Sequence, residues 1–284
     1  MVKKELPLLD EIRRAIISAL FSDDELFERL ALKGGNALRL VYNLQARTSL
    51  DIDVSLDTEL GDLGVVLSRL VRALHDRLEG LGYVSFDEKL NARPPGATGR
   101  WGGYLLEFKV ISRLDYGRLG DDLSGLRRNA VAFGAQQRTW QVEISKYEHC
   151  EGKQAFELNA QTIYVYSPAM IVIEKLRALC QQLPEYPHRG HRTPRARDFY
   201  DIHSVVTQLS PELESAERVA LARAIFKAKD VPLSLLGKIR STHDFHAVDW
   251  PSVQVASGSG LQAFGFYFEF VAAQAERLEA LWEE

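Results

Sequence analysis

The stretch Lys33-Gly34-Gly35-Asn36-Ala37-Leu38, followed by Arg47-Thr48-Ser49-Leu50-Asp51-Ile52-Asp53, decides how this chain is read. Leu30-Ala31-Leu32-Lys33 is a short apolar run that reads as a strand, ended by Gly34-Gly35. Ala37, Leu40, Val41 and Leu44 recur at helical spacing, so a helix is expected over 36–44. Residues 50–56 alternate with period two and read as a second strand. On that strand Asp51 and Asp53 project to one face, Ile52 and Val54 to the other. Carboxylates so close repel unless a cation lies between them. Their oxygens suit Mg²⁺, which takes one or two carboxylates with waters and substrate phosphates. The diglycine lets backbone approach a ligand, and N–H groups opening a helix favour phosphate. A phosphate cradle beside a carboxylate pair is the equipment for metal-assisted phosphoryl or nucleotidyl transfer.

Outward from this centre, Leu8, Ile12, Ile16 and Leu20 predict a helix over 7–20. Ser22 and Glu25 read as a capping box opening a helix over 23–30. A long helix is expected over 61–80, then strands over 82–90, 103–112, 140–146 and 163–166. Ser167 caps a helix with Pro168 at its first position. Helices are expected over 168–182, 196–208, 212–228 and 260–282. Strands thus crowd the first part and helices the second, which puts a domain boundary near 160–167.

The chain has 284 residues, 46% hydrophobic and 26% charged, which excludes wholesale disorder, collagen and coiled coil. Thirty-five Lys and Arg against 39 Asp and Glu give a net charge of −4. No global field draws such a chain to nucleic acid or an anionic membrane, so any such contact needs a local basic patch. Cys150 and Cys180 are too few for a disulfide framework or a four-thiolate metal site and read as core residues. No apolar run is long enough to span a membrane. Glu5, Asp10, Glu11, Arg13 and Arg14 interrupt any signal-peptide core. A cytoplasmic location is expected.

Lys175 follows Glu174 in the apolar stretch Ala169-Met170-Ile171-Val172-Ile173. A buried lysine there is costly unless it meets an anion; the other reading is a surface lysine that snorkels. Asp198 and Asp201 stand three apart, on one helix face. Residues 188–197 hold Arg189, Arg192, Arg195 and Arg197 with His188 and His191 and no acid. This is the candidate patch for an RNA backbone, against the plainer reading of a solvated loop. The two histidines have no third ligand nearby, so zinc is not expected. No Gly-x-Ser-x-Gly motif appears.

Together these residues resemble the AbiEii-type nucleotidyltransferases, toxins of abortive-infection toxin–antitoxin systems in the DNA polymerase β superfamily, to which the MenT-type toxins are related. The likeness is carried by residues 33–38 and 47–53, by Val142-Glu143-Ile144-Ser145, by Ile173-Glu174-Lys175-Leu176-Arg177-Ala178, and by Arg195-Ala196-Arg197-Asp198-Phe199-Tyr200-Asp201-Ile202. It implies an α+β fold: a polymerase β-like nucleotidyltransferase domain with a mixed sheet over 1–163, and a helical C-terminal domain over 164–284. It implies catalytic roles for Asp51, Asp53, Glu143, Lys175 and Asp198, with Asp51, Asp53 and Glu143 holding Mg²⁺ or Mn²⁺. Lys33, Gly34, Gly35, Asn36, Arg47, Ser49 and Lys175 would contact the nucleotide, and Asp198 would orient Lys175 or the acceptor. The sequence departs from the family pattern at Asn36, where Ser or Thr is usual. Its third carboxylate is Glu143 rather than Asp, with Glu107 in Leu105-Leu106-Glu107-Phe108 as a rival; we prefer Glu143 from its neighbours.

The implied reaction moves a nucleoside monophosphate from an NTP donor to an acceptor. For the MenT-type relatives that acceptor is RNA, especially the tRNA 3′ end. The implied partner is a separately encoded antitoxin, without a requirement for stable direct binding. The alternatives are a protein or small-molecule acceptor, such as an aminoglycoside hydroxyl, or a non-catalytic nucleotide-binding scaffold.

Overall fold

The computed structural model describes residues 2–44, 51–96, 101–133, 136–188, 191–257 and 260–282. Arg47, Ser49 and Arg189 lie outside these residues. The chain divides into two compact units. The first comprises Met1–Leu32, Ser49–Cys150 and Gln154–Val165; the second comprises Lys33–Thr48, Glu151–Lys153 and Tyr166–Glu284.

In chain order the elements begin with α1 (Val2–Leu20), α2 (Asp24–Phe27), β1 (Leu30–Lys33), α3 (Gly34–Leu40), β2 (Ile52–Leu56) and α4 (Leu63–Glu79). Then come β3 (Tyr83–Arg93), β4 (Gly103–Ser112), α5 (Arg113–Leu119), α6 (Leu123–Asn129), β5 (Trp140–Ser145), β6 (Gln154–Leu158) and β7 (Gln161–Val165). The remainder is helical: α7 (Pro168–Cys180), α8 (Ala196–Leu209), α9 (Ala216–Lys227), α10 (His243–Ala247), α11 (Trp250–Ser257) and α12 (Phe264–Glu276). Short 3₁₀ segments lie at Leu233–Thr242 and Glu279–Leu281.

The strands form one mixed sheet in the order β3-β4-β5-β2-β1-β7-β6. β2 runs parallel to β5 and β1 parallel to β7, while β3/β4, β4/β5 and β6/β7 are antiparallel. The expected architecture, α+β with a mixed sheet, is the one observed. Ile52, Val54, Leu106, Phe108, Trp140, Val142 and Ile144 are buried at the centre of the sheet. Each such side chain contributes about 1.5–3 kcal/mol when removed from water. α4 packs on β3, and α1 packs on α4. α4 owes this to Val66, Leu70, Leu74 and Leu78, buried at four-residue spacing. Asp62 caps it by accepting from the Gly64 and Val65 amides.

The second unit is built on α7, whose cap is the expected one: Ser167 accepts from the Met170 amide, with Pro168 at the helix start. α7 packs against α8 and α9, and α12 packs against α8. Phe199 of α8 meets Phe264 and Phe268 of α12 at ring separations of 5.3 Å.

Several elements depart from the sequence reading. Ser22 is not the cap of α2: its hydroxyl donates to the Ala19 carbonyl, and Asp23 accepts from the Glu25 and Leu26 amides. The helix expected over 36–44 is Gly34–Leu40, because Gly34, at φ 65°, turns the chain directly from strand into helix. β2 starts at Ile52, where pairing with Val142 begins, so Asp51 stands just before it. The helix expected over 260–282 is the shorter α12 followed by a 3₁₀ turn. α5, α6 and β6 were not expected. α5 buries no side chain and β6 exposes four of its five residues, so neither carries a periodic signal.

Candidate active site

The carboxylates of the first unit stand on the central strands. In the parallel pair of β2 and β5, Asp53 is the register partner of Glu143. Register partners share a face and lie about 4.8 Å apart across the sheet. Asp51, Asp53 and Glu143 are half-buried, whereas Ile52, Val54, Val142 and Ile144 are buried. The rows of this face can be read off the pairing. Asn91, Leu105, Glu143 and Asp53 form one row across β3, β4, β5 and β2. Arg93, Gly103, Ser145 and Ser55 form the next. Glu107 belongs to a third row, opposite Gln141, and accepts a hydrogen bond from its amide at 2.9 Å. Glu143 is therefore the carboxylate beside Asp53, and Glu107 stands a strand further away.

Glu143 already has a partner. Arg93 Nη1 donates to its Oε1 at 3.1 Å. Among the described residues no three His, Cys, Asp or Glu side chains converge into a metal cage. The donor chemistry still fits a hard cation on Asp51 and Asp53, since Mg²⁺ needs only one or two carboxylates from the protein. Arg93 engages Glu143 Oε1, so this oxygen would have to leave the guanidinium to join that set.

In the second unit, Lys175 is buried on α7 and its ammonium donates to Asp198 Oδ1 at 2.7 Å and Asp201 Oδ2 at 2.8 Å. Burial opposes the Lys175 charge, but Asp198 and Asp201 outweigh it and hold the ammonium above its ordinary range. Burial likewise pushes the Asp198 carboxyl up, and Arg195 and Lys175 more than offset this, leaving it below the usual carboxylate range. Two of the three ammonium donors are thus committed to acids of α8. Glu174, next in sequence, turns to other cations: Lys33 Nζ at 3.7 Å and Arg177 Nη2 at 3.3 Å. Gly34, Gly35 and Asn36 form the first turn of α3, with Asn36 buried.

Arg192, Arg195 and Arg197 of the acid-free stretch find partners a few residues onward or on a neighbouring segment. Arg195 pairs with Asp198, and Arg197 Nε lies 3.7 Å from Asp201. Arg192 donates to the Gln182 carbonyl and stacks 4.4 Å over the Phe245 ring. The backbone amide of Arg195 donates to Nδ1 of the buried His246 at 3.0 Å, which ties the start of α8 to α10. Sequence reading missed Arg93, Gly103 and His246. Arg93 ends β3, past the strand expected over 82–90 and next to Pro94-Pro95-Gly96, and carries no motif, so no local signal marked it.

Solved structures show what this fold resembles. A Helicobacter pylori protein assigned as a nucleotidyltransferase is 16% identical, with a TM-score of 0.51, and the match covers 100% of this chain and 98% of that one. JHP933, also from Helicobacter pylori, is 17% identical with a TM-score of 0.48, covering 96% and 91% of the two chains. No curated protein matches the sequence. The family model for the nucleotidyl transferase AbiEii toxin of type IV toxin–antitoxin systems matches residues 15–262. The chain belongs to this family and is an enzyme of the nucleotidyltransferase class. Among its described residues no helix is long and apolar enough to cross a membrane.

Proposed function

We propose that the protein transfers a nucleoside monophosphate from an NTP to an RNA acceptor, with the tRNA 3′ end as the first candidate. The observation that carries this reading is the placement of Asp53 beside Glu143 on the parallel pair of a family member's central sheet. Asp51, Asp53 and Glu143 would hold Mg²⁺ or Mn²⁺, which supplies charge neutralisation at the triphosphate and lowers the pKa of the acceptor hydroxyl. The acceptor oxygen attacks the α-phosphorus, the bond to the β-phosphate oxygen breaks, pyrophosphate leaves, and the hydroxyl proton passes to water.

The phosphate contacts assigned to Lys33, Gly34, Gly35, Asn36, Arg47, Ser49 and Lys175 belong to the same proposal. So does the assignment of residues 1–163 as the nucleotidyltransferase domain and 164–284 as the helical one. In its buried cluster Lys175 has one remaining N–H donor for a phosphate, and Asp198 acts by orienting it. Arg192, Arg195 and Arg197 keep internal partners, so an RNA backbone would meet the partly exposed edges of their guanidinium groups, together with Arg189. Toxicity in the cell, and its relief by a separately encoded antitoxin in the cytoplasm, complete the reading.

The test is a labelling assay with each α-³²P NTP, Mg²⁺ and total bacterial RNA or lysate, and with Asp53→Asn as control. Label in a tRNA-sized band that the variant abolishes is the expected result. Label in protein or in a small molecule moves the acceptor. Label that Asp53→Asn leaves intact overturns the assignment of the chemistry to this sheet.

A further inference from the structure

The carboxylate face of the first unit carries one feature that the nucleotidyl-transfer reading does not use. Arg93 ends β3, two strands away from Glu143, yet its guanidinium reaches that carboxylate at 3.1 Å. The reach depends on Gly103. In the sheet Arg93 faces Gly103, and Gly103 faces Ser145, two residues beyond Glu143 on β5. With no side chain at Gly103, nothing stands between Arg93 and β5 in that row. None could stand there, because a Cβ at Gly103 would run into the Ile144 carbonyl.

We propose that Arg93 is a positioning residue that competes with the metal ion for Glu143, holding this carboxylate out of the metal-binding set until a cation displaces it. The proposal rests on the reading of Asp53 and Glu143 as metal carboxylates. Adjacent carboxylates repel one another, and Arg93 sets a positive charge beside Glu143. A divalent ion arriving at Asp53 and Glu143 repels the guanidinium and offers Glu143 a stronger partner. The exchange is easy because the pair is exposed: the Arg93 side chain is 58% accessible and that of Glu143 46%. Such pairs are weak and give way to better partners. The guanidinium so released is a fork that suits phosphate as well as carboxylate.

The test titrates nucleotide-free full-length protein with Mn²⁺ and follows the free ion by electron paramagnetic resonance. Wild type, Arg93→Gln, Arg93→Lys and Asp53→Asn are compared, each with its melting temperature. Removing the competitor should make Arg93→Gln bind Mn²⁺ roughly two- to fivefold more tightly, the scale of an exposed ion pair. Arg93→Lys should return close to wild type, and Asp53→Asn should lose the binding. If Asp53→Asn loses Mn²⁺ while Arg93→Gln binds it no more tightly than wild type, the proposal is overturned and the carboxylate reading stands. A shifted melting temperature with unchanged Mn²⁺ affinity in Arg93→Gln also overturns it, since that marks a purely structural pair. If Asp53→Asn binds Mn²⁺ as wild type does, the carboxylate reading itself falls.

Discussion

Asp53 and Glu143 are register partners in the parallel pair of β2 and β5, although ninety positions separate them in the chain. The separation in sequence is closed by the sheet, which places β5 between β4 and β2. Their apolar neighbours Val54 and Ile144 are buried, so the register cannot slip by one residue without exposing them. Asp53→Asn should therefore leave the fold intact, with a melting temperature within about 3 °C of wild type. Nucleotidyl transfer in the same protein should fall on the order of 10³-fold, the scale of several kcal/mol of charge stabilisation. Circular dichroism and the labelling assay measure the two arms.

Lys175 is the buried cation between two buried acids. Lys175→Met leaves Asp198 and Asp201 with less compensation and should cost about 3–5 kcal/mol, read from urea unfolding. The Lys175→Met, Asp198→Asn double variant should recover part of that loss, because one of the stranded charges is gone.

Stability should also depend on pH through His246. Burial holds its imidazole down at about 4, against an ordinary value of 6.5. Between these values the unfolded chain binds more protons than the folded one, so stability falls as pH is lowered from 6.5 through 4. The full loss is about 3 kcal/mol. His246→Gln, which keeps an acceptor for the Arg195 amide, should flatten the slope in this window. Below it, the depressed Asp198 adds a second loss as the solution becomes more acidic than its ordinary value of 3.8. Denaturant midpoints from pH 3 to 8 separate the two.

Gly34 opens α3 at φ 65°. Gly34→Ala should destabilise the protein by about 1–2 kcal/mol, since a Cβ is disfavoured in that region. Calorimetry reads the loss directly. The neighbouring Gly35→Ala carries no such strain from a positive φ and serves as the comparison.

Much of the frame was legible before the structure. Ser167-Pro168 announced the start of α7, and the long helix expected over 61–80 is α4. These signals are local, so they survive translation into structure. The capping of α2 was misread because Ser22 and Asp23 are both good caps and only backbone geometry chooses between them. β6 was missed because an edge strand exposed on both faces has no alternation to detect.

The sequence by itself determined the family, the mixed α+β frame and the chemical types at the centre: a diglycine turn, alternating aspartates and a lysine in an apolar helix. These depend on residue identity and short spacing. Tertiary structure alone decided which charges meet. It put Glu143 rather than Glu107 beside Asp53, gave Glu143 to Arg93 across the gap at Gly103, and gave Lys175 to Asp198 and Asp201. Such pairings join residues far apart in the chain, and they follow from strand register and helix packing, which burial of the whole apolar face sets and no local window contains.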